Sequence, residues 1–136
     1  MTDLVECVAQ AFIRAINRHD VDALAELMSE QHRFIDSMGT VFEGRETMHR
    51  GWMKYFQIVP NYSVAVEETF CDGTVVVMLG MAEGTYTPDG QPKPENHWST
   101  PTAFRAFIEE GKVAEWRVYC DNEPIRQRLR AFEHSA

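Results

Sequence analysis

The chain has 136 residues, 44% of them hydrophobic, and a formal net charge of −8. That length makes a single domain, residues 1–136, able to bury a core without metal or disulfide staples. The acidic balance argues against a nucleic-acid partner, because phosphates call for a basic surface, and no apolar stretch is long enough to span a membrane.

Val5, Val8, Phe12 and Ile16 recur at steps of three and four, which predicts an amphipathic first helix with Thr2 placed to cap it. His19-Asp20 breaks it, and Asp20 can cap a second, shorter helix that buries Leu24, Leu27 and Met28. A short apolar strand ending at Asp36 follows. Gly44 opens a third helix with Met48, Trp52, Tyr55 and Phe56 on one face, stopped by Pro60-Asn61. From Tyr62 the period changes to two, and Asp72-Gly73 marks a hairpin turn. Val75 to Gly84 is a second strand, apolar enough to be covered on both faces. Residues 87–94 form a turn-rich loop. His97 to Ile108 and Lys112 to Cys120 form another hairpin around Glu110-Gly111, and Pro124 suits the first turn of a closing helix carrying Ile125, Leu129 and Phe132. Helices followed by long antiparallel strands predict an α+β domain with its helices on one sheet face. A strongly curved sheet of this kind can enclose an apolar cavity.

Asp36 is the leading candidate for chemistry. It ends an apolar strand, with Phe34, Ile35, Met38, Val41 and Phe42 nearby, and partial desolvation would raise its pKa towards the range of a general base. The competing reading is local: an Asp before Gly39 commonly caps a turn through the backbone.

The arrangement resembles the nuclear-transport-factor-2-like superfamily of cone-shaped, cystatin-like α+β folds, and within it the SnoaL-like polyketide-cyclase group. The resemblance spans nearly the whole chain. It rests on Asn17-Arg18-His19-Asp20-Val21-Asp22-Ala23-Leu24, on Phe34-Ile35-Asp36 with Phe42-Glu43-Gly44-Arg45, on Gly84-Thr85-Tyr86-Thr87-Pro88-Asp89-Gly90, and on residues 111–119, Gly-Lys-Val-Ala-Glu-Trp-Arg-Val-Tyr. It implies a curved sheet wrapped around the N-terminal helices. It does not specify a reaction, since the fold hosts isomerases, dehydratases, cyclases, epoxide hydrolases and proteins without catalysis. Asp36 falls where ketosteroid isomerases keep their proton-shuttling Asp, but their oxyanion-hole positions fall on Phe12 and Ala103, which donate no hydrogen bond. The acid/base position of polyketide cyclases falls on Val118. The three polar positions of limonene-type epoxide hydrolases fall on Leu79, Met81 and Val118. The family register turns Phe12, Ile16, Leu79, Met81, Ala103, Trp116, Val118 and Cys120 towards the cavity, a lining suited to an apolar, aromatic or polycyclic molecule. A filled core of the same residues is the alternative.

His97 starts a strand near the expected rim, as an acid or base partner for a ligand or as a surface histidine. Glu83 has Arg105 as a candidate partner, or faces solvent. His32 and His49 carry weaker signals. Arg126, Arg128 and Arg130 read as a solvated helical face. The histidines show no paired metal-ligand spacing, so no metal and no cofactor is expected. The three cysteines, Cys7, Cys71 and Cys120, are an odd number without short spacing, which fits reduced, partly buried thiols and no disulfide framework. With Glu6, Gln10 and Arg14 interrupting any signal-like start, a cytoplasmic location follows by default. Two functions stand: a cofactor-independent isomerase, lyase or cyclase using Asp36, or a non-catalytic ligand-binding or dimerisation module. A homodimer through the open sheet face is expected, with Phe104, Arg117 and Tyr119 pointing outward unless the last helix covers Phe104.

Overall fold

The computed structural model describes residues 4–135, with side chains as far as Arg130. Helix α1 (Leu4–Arg18) buries Val8, Phe12, Ala15 and Ile16, as its periodicity requires; Thr2 lies outside the described residues. The helix ends in a Schellman turn, with His19 N–H donating to Ile16 O and Asp20 N–H to Ala15 O, both at 3.0 Å. His19 takes φ 56° at a position where glycine is usual. Its ring anchors that conformation by stacking on Phe56 at 4.2 Å, with Nε2 2.7 Å from Tyr62 O. Asp20 then caps α2 (Val21–Leu27), accepting from Ala23 N–H at 3.0 Å.

Strands β1 (Met28–Ile35) and β2 (Val41–Glu43) flank the Asp36 turn, and α3 (Arg45–Ile58) follows Gly44. Next come the hairpin β3 (Ser63–Asp72) and β4 (Val75–Thr85), a short 3-10 helix (Pro94–Asn96), the hairpin β5 (His97–Glu109) and β6 (Lys112–Cys120), and α4 (Glu123–Ser135). The six strands form one curved, open sheet in the order β2-β1-β6-β5-β4-β3. All neighbours are antiparallel except β1 and β6, which run parallel. Gly80 lies where β3 bulges between Val66 and Glu68. A Cβ there would come within 1.9 Å of Ala65 O, so only glycine lets β3 close on β4 at the bend.

Helix α1 lies across β3–β6, and α3 against β1 and β2. Phe12 occupies the centre, with ring centroids 4.5 Å from Trp116 and 6.5 Å from Trp52. Trp116 in turn packs on Phe104 at 5.4 Å. Each such fully buried apolar side chain contributes ~1.5–3 kcal/mol of hydrophobic free energy.

Strand parity decides what reaches this interior. On β6, Trp116 is buried while Tyr119 is exposed, the expected parity. On β5 the expectation is reversed: Thr102, Phe104 and Ala106 are buried, and Ala103 lies outside between Leu79 and Tyr119. Phe104 packs on Trp116 at the inner face. On β4, Val76, Met78 and Ala82 face inward, so Leu79 and Met81 face outward, half-buried and not covered. A one-residue slip flips every side chain of a strand, and the nearly unbroken apolar run of β4 carries no mark of its parity.

Candidate functional site

The curvature leaves a cavity of about 510 Å3 between α3, the inner face of β4–β6 and the start of α4, within the range of about 300–1,000 Å3 typical of small-molecule sites. Aromatic rings make its continuous wall. Phe34 meets Trp52 at 5.8 Å, Trp52 meets Tyr55 at 6.1 Å, Tyr55 meets Tyr62 at 5.1 Å and Tyr62 meets Trp98 at 6.1 Å. The first three contacts are edge-to-face, the arrangement that ring quadrupoles favour.

Asp36 follows Phe34 by two positions and so shares its inward face; both line the cavity. Its Oδ1 accepts from Met38 N–H and Thr40 N–H, both at 2.9 Å. The turn-capping reading therefore describes Oδ1, while Oδ2 makes no hydrogen bond to a described residue. The shield is looser than the sequence suggests, since Met38, Val41 and Phe42 are exposed and Ile35 faces away. Beside Asp36, Asn122 Oδ1 accepts from Ser37 Oγ at 2.6 Å and from Cys120 Sγ at 3.3 Å. Burial pushes the Cys120 thiol up, opposed by the Ser37 hydroxyl and reinforced by the charge of Asp121, so it is no ready thiolate nucleophile.

Burial also raises Tyr55 and Tyr62. Both phenols keep their protons, and neither hydroxyl bonds a described residue. Thr100 and Thr102 line the same space but donate to Asp121 O and Thr100 O, at 2.8 and 3.1 Å.

Of the residues singled out from the sequence, Asp36, Val118 and Cys120 reach the cavity wall. Phe12, Ile16 and Trp116 are wholly buried in the packed layer alongside, a filled core and not a lining. Leu79, Met81 and Ala103 are on the opposite face of the sheet, where Leu79 and Ala103 border a shallow depression with Tyr119. His97 is also outside: Nδ1 lies 3.1 Å from Thr85 Oγ1 and Nε2 3.6 Å from Glu83. It does not partner Asp36. Arg105 bonds Glu115 at 3.2 Å instead of Glu83. Cys7 and Cys71 are exposed, not partly buried. His49 pairs with Asp22 at 2.9 Å.

His32 is fully buried. Its Nδ1 lies 2.7 Å from Val113 O, and Nε2 has no hydrogen-bond partner among the described residues. Burial lowers its pKa, against the opposing pull of the Val113 bond and of Glu115. The sequence reading missed Tyr55 and Tyr62 as site residues. The available signal was a phenol at the edge of an apolar face, since a buried tyrosine needs somewhere to point its hydroxyl. Among the described residues, no His, Cys, Asp or Glu group converges to hold a metal, and no helix is long and apolar enough to cross a membrane.

The profile of the SnoaL-like domain matches residues 9–116. The chain belongs to the SnoaL-like family. Among curated proteins, none matches the sequence significantly. Solved structures share the fold of this SnoaL-like chain. A protein from Shewanella denitrificans, described as a candidate SnoaL-like polyketide cyclase, is 18% identical over 96% of this chain and 99% of its own, with a TM-score of 0.83. IdmH from Streptomyces antibioticus, a candidate polyketide cyclase, is 18% identical over 93% and 98%, with a TM-score of 0.75. A ketosteroid isomerase-like protein from Catenulispora acidiphila, solved in complex with trimethylamine, is 16% identical over 89% and 90%, with a TM-score of 0.76. At these identities the likeness is one of fold.

Proposed function

We propose that the cavity binds a small apolar molecule carrying a carbonyl or hydroxyl group, and that Asp36 acts on it as general base in a cofactor-independent isomerase, lyase or cyclase reaction. The observation that carries this reading is a carboxylate on the wall of an aromatic cavity of about 510 Å3 with one oxygen free of the turn that holds the other. That turn fixes the carboxylate's direction, and oriented groups need little reorganisation to react. The reading includes a homodimer formed through the outer sheet face, and a reducing compartment, the cytoplasm, which suits three cysteines outside any disulfide.

The test is exchange of α-protons for deuterium in a panel of cyclic and aryl ketones, followed by proton NMR. Wild type should accelerate exchange for at least one ketone, and Asp36→Asn should lose that acceleration. Asn keeps the acceptor that caps the turn, so stability should change by less than about 0.5 kcal/mol. Equal exchange by the variant would remove Asp36 from the mechanism. A second reading, a ligand-binding module without catalysis, draws on the lack of any described side chain bonded to Asp36. Ligand binding with no exchange across the panel would establish it.

A further inference from the structure

We propose that the cavity selects an apolar organic cation, an alkyl or aryl ammonium, with Asp36 as its counter-ion and the aromatic wall as its cage. This rests on the reading of the cavity as a ligand site and is independent of whether Asp36 also abstracts a proton. A bound cation and a carbonyl compound would compete for one carboxylate. Among the described residues that line the space, Asp36 is the one charged side chain. It is half-buried, and no described Lys, Arg or His forms an ion pair with it. A carboxylate drawn partly out of water gains from a partner of opposite charge.

The wall supplies the rest. Phe34, Trp52, Tyr55, Tyr62 and Trp98 run in unbroken contact, and the first three contacts have interplanar angles of 77°, 87° and 80°. Rings that turn by nearly a right angle from one to the next make a box, not a flat stack. Their π faces carry negative potential, and tryptophan holds a cation best. A methylated ammonium has little water to lose, so such a wall can replace its hydration. The phenols of Tyr55 and Tyr62, raised by burial, stay neutral and bring rings without a second charge.

The polar atoms of the wall suit the same guest. Ser37 Oγ and Cys120 Sγ donate to Asn122 Oδ1, at 2.6 and 3.3 Å. Thr100 Oγ1 donates to Asp121 O and Thr102 Oγ1 to Thr100 O, at 2.8 and 3.1 Å. Asn122 Nδ2 donates to Met38 Sδ at 3.4 Å. With these protons engaged inside the protein, lone pairs are what the same atoms can offer a guest. On α4, Arg126 stands beside Met38 Sδ at 3.5 Å and is paired with Glu123 at 3.9 Å, so its charge is already met.

The experiment compares phenyltrimethylammonium with its neutral isostere tert-butylbenzene, binding being read from tryptophan fluorescence. Salt at about 0.15 M screens attraction to the exposed charges of an acidic protein. A purely apolar cavity would favour the hydrocarbon, which costs less to dehydrate. Wild type should instead bind the cation at least about tenfold more tightly. Asp36→Asn should bring the affinity ratio close to one. Glu110→Gln removes an equal charge from the turn between β5 and β6, at the far end of the strands from Thr100 and Cys120, and should keep the wild-type ratio. Tert-butylbenzene bound by wild type as tightly as the cation, or more so, would overturn the cation assignment while leaving the ligand site standing. A preference that Asp36→Asn leaves intact would equally overturn it. Binding of neither probe would overturn both readings. If Asp36→Asn fails to fold, the ratios of wild type and Glu110→Gln still decide.

Discussion

Because Nδ1 of His32 donates to Val113 O, the neutral ring carries its proton there and leaves Nε2 as a bare acceptor. Protonating Nε2 would place a charge in the interior, and burial accordingly lowers this pKa below 6.5. Above pH 6.5 the ring is neutral in the folded and unfolded chain alike and adds no pH dependence. Below it, the unfolded ring takes a proton that the buried ring resists, so stability falls until pH reaches the folded value. The slope from this one site is at most about 1.4 kcal/mol per pH unit. Urea denaturation between pH 7.5 and 5 should show this decline in wild type and a flatter profile in His32→Asn, whose amide can keep the bond to Val113. Parallel profiles would remove His32 as the cause. Nothing local in Gln31-His32-Arg33 announces such burial; it follows from β1 lying inside the sheet, between β2 and β6. Asp36 was legible in both its aspects because turn capping and strand-end placement are local properties. Tyr55 was legible as part of a buried face, but not as a phenol without a partner.

At the scale of elements, the helices were readable because three- and four-residue periodicity names a face directly: α1 buries the residues its pattern marks, and α3 buries Met48, Trp52 and Phe56. Strands expose a different weakness. Both hairpins were legible from Gly73 and from Glu110-Gly111, yet β5 alternates Thr102-Ala103-Phe104-Arg105-Ala106, where small and polar residues occupy both faces. The pattern alone leaves open which set is inward, and Trp116 settles it by demanding Phe104 as a neighbour. Trp116 itself proves to be floor and not wall, clasped between Phe12 and Phe104. Trp116→Ala should therefore cost ~3–5 kcal/mol, measurable by chemical denaturation. Ligands should feel it only through the loosened floor, with affinity falling less than in Trp98→Ala. A loss of under 1 kcal/mol would contradict this packing.

At the scale of the molecule, all the described helix packing serves one face of the sheet. The other presents Leu79, Ala103 and Tyr119 together, beside Glu115 bridged to Arg33 and Arg105 at 3.5 and 3.2 Å. Arg117 covers the Tyr119 ring at 4.8 Å. Helix α4 packs against β5 and the 3-10 turn, and its Ile125 lines the cavity, so Tyr119 stays 46% exposed. Apolar and aromatic groups rimmed by charge are the composition of a subunit interface. Sedimentation at micromolar concentration should give a dimer for wild type and a monomer with intact fold for Tyr119→Glu. A monomeric wild type would sink the assignment. The architecture was legible as helices on one sheet face, but no local pattern announces β6 as a neighbour of β1, because parallel pairing leaves no hairpin signature.

That parallel join of β1 to β6 has a kinetic consequence. Ser37 and Asn122, 85 positions apart, meet at the cavity rim only once the two ends of the chain have closed on each other. Closing so long a loop is entropically slower than zipping either hairpin. The cavity should therefore mature last during refolding. Pulsed hydrogen exchange should protect β3–β5 amides before those of β1, and dye binding should return with the slower phase. Simultaneous protection of all strands would show instead that the ends dock as early as the hairpins form.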